Sequence, residues 1–239
     1  MTLRDELRFV HDNRHVRLSA DRMETMDRNA AALAASGIVE RAARVGDRAP
    51  DFTLGSATGR PVSLSAVLAD GPVVLTFYRG AWCPFCNLAL RALQAHHEAI
   101  TARGARLLAV SPQIPDESLS LTQKEELAFD VLSDIGSDVA ERYGIAFDLG
   151  EELGSLYDEL GFELERVNDG HARTLPLPAT YVIDRDGVIR WAFVASDYAV
   201  RAEPSDILAA LDTLDSSASS ASSTSSGSSG SSASSDSSG

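Results

Sequence analysis

The sequence predicts an α/β domain whose sheet is mostly parallel with an antiparallel edge. Two features carry the parallel part. Pro72–Tyr78 and Ala105–Val110 are continuous apolar runs of the kind expected for strands buried on both faces. Each is followed by a stretch with helical spacing. The third feature carries the edge. Thr180–Asp184 and Val188–Val194 flank Arg185-Asp186-Gly187, and an Asp-Gly pair between β-rich runs signals a hairpin.

The elements follow in chain order. From Thr2 to about Arg44 the chain is rich in Ala, Arg, Asp and Glu and has no Pro. Leu3, Leu7 and Val10, then Met23, Met26, Ala30 and Leu33, recur at three- and four-residue steps, an amphipathic helical stripe. Ser36-Gly37 interrupts it, because Gly favours the left-handed position past a helix end. Residues 1–44 therefore form a helical arm, which packs on its own domain or pairs with a second copy of the chain. Gly46, Pro50, Gly55, Gly59 and Pro61 then punctuate a loop and hairpin. After the Pro72–Tyr78 strand, Leu88, Leu90, Ala92, Leu93 and Ile100 supply the buried side of a helix over Asn87–Arg103. Beyond the second strand come a helix at Pro115–Leu127, a short strand at Phe129–Leu132 and a helix at Asp138–Tyr143. Ser205–Leu214 closes the domain as a helix, so the folded unit spans residues 45–215.

Residues 216–239 stand apart. They are eight Ser-Ser-X triplets with no large apolar side chain, too little to offset the entropy of ordering, and a disordered tail is expected. Only Asp236 in that tail is charged, so nearly all of the net charge of −14 sits on the folded part. Such a surface repels nucleic acid and anionic membrane. No apolar run approaches the ~18 residues of a membrane span, and Met1–Glu6 opens with charges. A cytosolic location is the expectation. A Walker-type phosphate loop and a Gly-x-Gly-x-x-Gly run are both missing, which argues against a bound nucleotide.

The chemistry points to the two cysteines of the chain, which lie together in Trp82-Cys83-Pro84-Phe85-Cys86. They fall where a buried strand turns into a helix. Cys83 at the helix start meets free N–H groups and the positive end of the helix dipole, which favour a thiolate. Pro84 suits the first helical position, where its missing N–H has no intrahelical partner. Cys86, one turn on, faces the same side and can close a disulfide with little backbone movement. The pair reads as a redox motif. Half of a zinc site and two inert core cysteines are the alternatives. Zinc lacks a second ligand pair, since His96 and His97 lie about three turns further along the helix and His171 is isolated. No metal and no cofactor are implied.

Several stretches resemble one family in register. Gly46-Asp47-Arg48-Ala49-Pro50-Asp51-Phe52-Thr53-Leu54 and Phe77–Asn87 are similar to landmarks of the alkyl hydroperoxide reductase/thiol-specific antioxidant group of peroxiredoxins, as are Ala109-Val110-Ser111-Pro112, Leu132-Ser133-Asp134 and Tyr143-Gly144-Ile145. The resemblance runs from Gly46 to Leu214 in a branch carrying CxxC. It implies a thioredoxin-like mixed sheet flanked by helices. It also implies a thiol peroxidase in which Cys83 attacks hydrogen peroxide or an organic hydroperoxide, Cys86 resolves the product, and an external dithiol such as thioredoxin restores both.

Departures from the family pattern keep a second function open. The usual Pro-x-x-x-Thr/Ser-x-x-Cys is missing, since Gly80 stands three residues before Cys83 and Thr76 seven before it. The basic residue that normally precedes the Thr180–Asp184 strand is absent. Pro178-Ala179-Thr180-Tyr181 instead resembles the cis-proline loop of thioredoxin-type oxidoreductases, and Trp82–Cys86 resembles their active site. A thiol–disulfide oxidoreductase acting on protein disulfides is therefore the alternative, with Pro178 shaping the groove for substrate. A redox-sensing module that switches the arm is a third reading. Arg79, four residues before Cys83, is the cation available to lower the thiol pKa and orient a peroxide, or else a surface residue at a strand end. Trp82 and Pro178 are the candidate substrate contacts.

Overall fold

The computed structural model describes residues 1–223. The arm folds as α1 (Leu3–Asp12), α2 (Ala20–Ala35) and α3 (Ile38–Arg41). The break between α2 and α3 falls where the sequence places it, with Gly37 left-handed at φ 71°. The break after α1 was not foreseen. There Asn13 turns its side-chain amide back onto the Phe9 carbonyl at 2.8 Å and ends the helix.

Then follow β1 (Thr53–Ser56), β2 (Pro61–Ser63), α4 (Leu64–Asp70), β3 (Val73–Phe77), α5 (Pro84–Ala95), α6 (His97–Thr101), β4 (Arg106–Ser111), α7 (Pro115–Lys124) and β5 (Asp130–Ser133). The expected Asn87–Arg103 helix is thus two. It starts earlier, at Pro84, and breaks at His96, whose ring nitrogen hydrogen-bonds the Ala92 carbonyl at 2.8 Å. Next come α8 (Asp138–Arg142), β6 (Ala146–Asp148), α9 (Gly150–Glu159), α10 (Leu164–Val167), β7 (Thr174–Pro176), β8 (Ala179–Ile183), β9 (Ile189–Val194) and α11 (Pro204–Ser223). The last helix continues past Leu214 into the Ser-rich stretch. Extending a helix already nucleated and packed by Ile207 and Leu211 avoids the cost of a new nucleus. Positions 224–239, the rest of the expected disordered tail, lie outside the described residues.

The main sheet has the order β2-β1-β5-β4-β3-β8-β9. Only its centre is parallel, β3 with β4 and β4 with β5. Both sides are antiparallel, so the sheet is less parallel than the strand pattern suggests and is the mixed, thioredoxin-like sheet that the family resemblance implies. Parallel neighbours need long crossovers, and in this sheet only α5–α6 and α7 provide them.

Burial on both faces follows the strand period of two. Val74, Leu107, Ala109 and Val131 face a layer formed by α1, α5, α9 and α11. Leu75, Phe77, Leu108, Val110 and Leu132 face the opposite layer, with Phe52, Leu64, Val139 and Tyr143. Each of these Val, Leu and Phe side chains contributes roughly 1.5–3 kcal/mol when fully buried. α1 and Met26 of α2 belong to the first layer, while Ile38 and Ala42 at the end of the arm pack in the second. Leu3, Leu7 and Met26 pack in the same apolar cluster as Cys83, Phe85 and Cys86. The arm's apolar stripe is therefore used on its own domain.

Candidate active site

β3 delivers the chain to a tight turn. Tyr78 still follows the sheet, its N–H donating to the Val110 carbonyl at 3.0 Å. Gly80 then adopts φ 150°, and a Cβ there would sit 2.4 Å from Nε1 of Trp82, so only glycine fits beneath the indole. The Ala81 N–H donates to Oε1 of Gln113 at 2.6 Å, and the Ala81 carbonyl accepts from the Asn87 amide at 2.9 Å. These bonds set Cys83 at the N-cap of α5, with Pro84 in the first turn as expected. The Cys83 carbonyl accepts from the N–H groups of Cys86 and Asn87, both at 3.1 Å.

Both cysteines are free thiols with no exposed surface. Each has its own arginine. Arg79, itself buried, donates from Nη2 to Cys83 Sγ at 3.2 Å and from Nη1 to the Tyr157 hydroxyl at 2.9 Å. The surface alternative for Arg79 is therefore excluded. Arg201 reaches Cys86 Sγ with Nη2 at 3.0 Å.

The two sulfurs are pushed in opposite directions. Burial alone would raise Cys83. The hydrogen bond from the Cys86 thiol and the charges of Arg79 and Arg201 outweigh it, holding Cys83 well below the usual thiol range. Cys86 is driven well above that range by burial, then by its hydrogen bond to Cys83 and the charge there, against Arg201 and Arg79. The shifts favour a thiolate at Cys83 and a thiol at Cys86.

The other named residues separate. Trp82 stacks on Phe162 with ring centroids 4.6 Å apart and packs against Tyr157, while the Arg79 guanidinium lies 5.1 Å from its ring centre. Pro178 lines a cavity of about 260 Å³ with Met26, Leu33, Phe147, Leu153 and Arg79, a wall to which Trp82 does not contribute. The peptide bond before Pro178 is trans, which corrects the cis-proline expectation. Pro178 simply continues the strand, its carbonyl accepting from the Ala195 N–H at 3.1 Å. Thr76 is occupied across the sheet, its hydroxyl 2.9 Å from that of Thr180.

Tyr157, Gln113 and Arg201 escaped the sequence reading. Tyr157 lies on α9, which that reading left unassigned, and Arg201 meets Cys86 across 115 positions of chain. A buried Tyr and a part-buried Arg in otherwise ordinary stretches give no local signal.

A thiolate and a thiol one helical turn apart, each with its own cation, define a dithiol redox protein. Comparison with known proteins narrows the class. The profile of the AhpC/TSA family matches residues 45–192. Chloroplastic peroxiredoxin Q of Sedum lineare is 30% identical over 148 residues, 62% of this chain and 67% of that protein. A putative peroxiredoxin bcp of Haemophilus influenzae is 34% identical over 116 residues, 48% of this chain and 72% of that protein. The chain spans 58% of the length of rice chloroplastic peroxiredoxin Q. The structure of peroxidoxin BcpB from Mycobacterium tuberculosis superposes with a TM-score of 0.57 at 23% identity, covering 72% of this chain and 97% of that one, and shows the shared fold. The chain belongs to the AhpC/TSA family, the thiol-dependent peroxidases that its sequence motifs resemble.

Proposed function

We propose that this protein is a thiol-dependent peroxidase in which Cys83 attacks the peroxide and Cys86 resolves the product. The Cys83 thiolate takes an OH from the hydroperoxide as the O–O bond breaks, becoming a sulfenic acid. The leaving alkoxide or hydroxide takes up one proton. Cys86 then attacks Cys83 Sγ, forming the disulfide and releasing water. An external dithiol, such as a thioredoxin, reduces that disulfide by exchange and is itself oxidised. Free thiols of this kind suit a reducing compartment such as the cytosol.

The observation that carries the reading is the Arg79–Cys83 contact at 3.2 Å, in a body of peroxiredoxin type. Arg79 also lines the cavity. One guanidinium therefore touches both the sulfur and the space from which a hydroperoxide arrives, with apolar walls for its organic group. The exchanger reading is less well supported. In the reduced protein a substrate disulfide would have to reach a sulfur with no exposed surface, whereas a small hydroperoxide needs only side-chain motion at the Arg79 wall.

The test is Cys86→Ser treated with peroxide in the presence of a sulfenate probe. Labelling of Cys83 supports the reading. If no label appears on Cys83, the peroxidase idea fails.

A further inference from the structure

Arg201 lies beyond the family match, which ends at residue 192, on the segment between β9 and α11. It is held firmly. Nη1 donates to the carbonyls of Tyr198 and Val200 at 2.7 and 2.6 Å, which aims Nη2 at Cys86 Sγ. The segment itself is tied down at both ends. The Ala199 N–H donates to the Asp197 carboxylate at 2.8 Å, and Glu203 accepts from the Arg4 N–H of the arm at 2.6 Å. The guanidinium Nε is buried without a hydrogen-bond partner, on a side chain that is itself part-buried.

We propose that Arg201 is a catalytic residue of the resolving step, making Cys86 the nucleophile only after Cys83 has been oxidised. The proposal rests on the peroxidase reading above. In the reduced protein the Cys83 thiolate accepts the Cys86 proton in a hydrogen bond and repels a second negative charge. Oxidation turns Cys83 into a neutral sulfenic acid. The two restraints that Cys83 imposes on Cys86 end, burial remains, and Arg201 stays at 3.0 Å from its sulfur to offset it. Cys86 then gives up its proton more readily than in the reduced protein and attacks Cys83 Sγ. The S–S bond forms, the S–O bond breaks, and the departing hydroxide takes the proton given up by Cys86, leaving as water. The sulfur of Cys86 is oxidised and that of Cys83 reduced, so the step balances without another reactant. Cys83 oxidation thus switches on its own partner.

The experiment follows sulfenate and disulfide on Cys83 by rapid quench and mass spectrometry, in the full chain, over a range of pH. It compares wild type with Arg201→Met and Arg201→Lys. In Arg201→Met the sulfenate accumulates, disulfide formation slows by about tenfold or more, and its pH midpoint rises, as loss of a cation beside a thiol requires. Arg201→Lys keeps the charge and recovers part of the rate, which a merely structural role for the side chain would not produce. Disulfide formation within twofold of wild type in Arg201→Met, with an unmoved midpoint, overturns the proposal. So does equal slowing in both variants. Failure of the peroxidase reading looks different, because Cys83 then forms no sulfenate even in Cys86→Ser.

Discussion

The guanidinium of Arg79 donates to Cys83 Sγ at 3.2 Å and to the Tyr157 hydroxyl at 2.9 Å, so one buried cation is shared between a sulfur on α5 and a phenol on α9. Arg79→Met removes the charge while keeping the bulk. In a Cys86→Ser background, thiolate absorbance followed against pH reads Cys83 alone. With Arg79 present the thiolate persists as pH falls below the ordinary thiol value of about 8.5. Without it the midpoint moves up, and the thiolate fraction near neutral pH falls by about 10- to 100-fold. Reaction with peroxide slows in step.

Gly80 is the second sensitive point. A Cβ at this position would lie 2.4 Å from Nε1 of Trp82 and 3.0 Å from the Gln113 amide carbon, at φ 150°. Gly80→Ala therefore shifts both the indole and the glutamine that holds the Ala81 N–H. The expected cost is about 1–3 kcal/mol. A chemical denaturation series gives that value, and a changed Trp emission spectrum locates the disturbance.

Helix α8 depends on one carboxylate. The two oxygens of Asp134 accept from the N–H groups of Val139 and Ala140 at 3.0 and 2.9 Å. Asp134→Ala leaves two buried donors without partners and costs roughly 1–2 kcal/mol in equilibrium unfolding. Peroxide reactivity at Cys83 is the control, since α8 packs on the face of the sheet opposite the thiols.

The arm packs through α1 on α5, the helix that Cys83 caps. Leu7 is 4% exposed and belongs to the cluster that holds both cysteines. Leu7→Ala should cost about 2–5 kcal/mol. Alkylation of Cys83 and Cys86 in the folded protein should also become faster than in wild type, because the layer over the sulfurs is thinned. Loss of stability with no change in alkylation would confine Leu7 to packing.

Patterns confined to a few consecutive residues were legible in the sequence. The central strands, the Gly37 break, the hairpin at Gly187 and the placement of Cys83 before Pro84 all follow from local spacing and turn chemistry. Strand direction was less accessible. The antiparallel placing of β1 and β8 depends on which strands the long connections reach, and no local signal encodes that. Helix α9 was missed because Gly150 and Gly154 weaken its helical pattern, yet it carries Tyr157. A Cβ at Gly154 would displace the half-exposed Arg173 guanidinium from its place against the helix. Arg79 was identified because it lies four residues from Cys83. Arg201, which makes the same kind of contact with Cys86, comes from far along the chain and was not.

The central claim is that the Cys83–Arg79 pair reacts with peroxide although the hydroxyl of the usual family motif is missing. Stopped-flow fluorescence of the reduced protein mixed with hydrogen peroxide tests it most directly, with Trp82 as the reporter beside Cys83. The expected result is a fast phase whose rate rises in proportion to peroxide and far exceeds that of free cysteine. A response no faster than an ordinary thiol would contradict the account and turn attention to disulfide exchange.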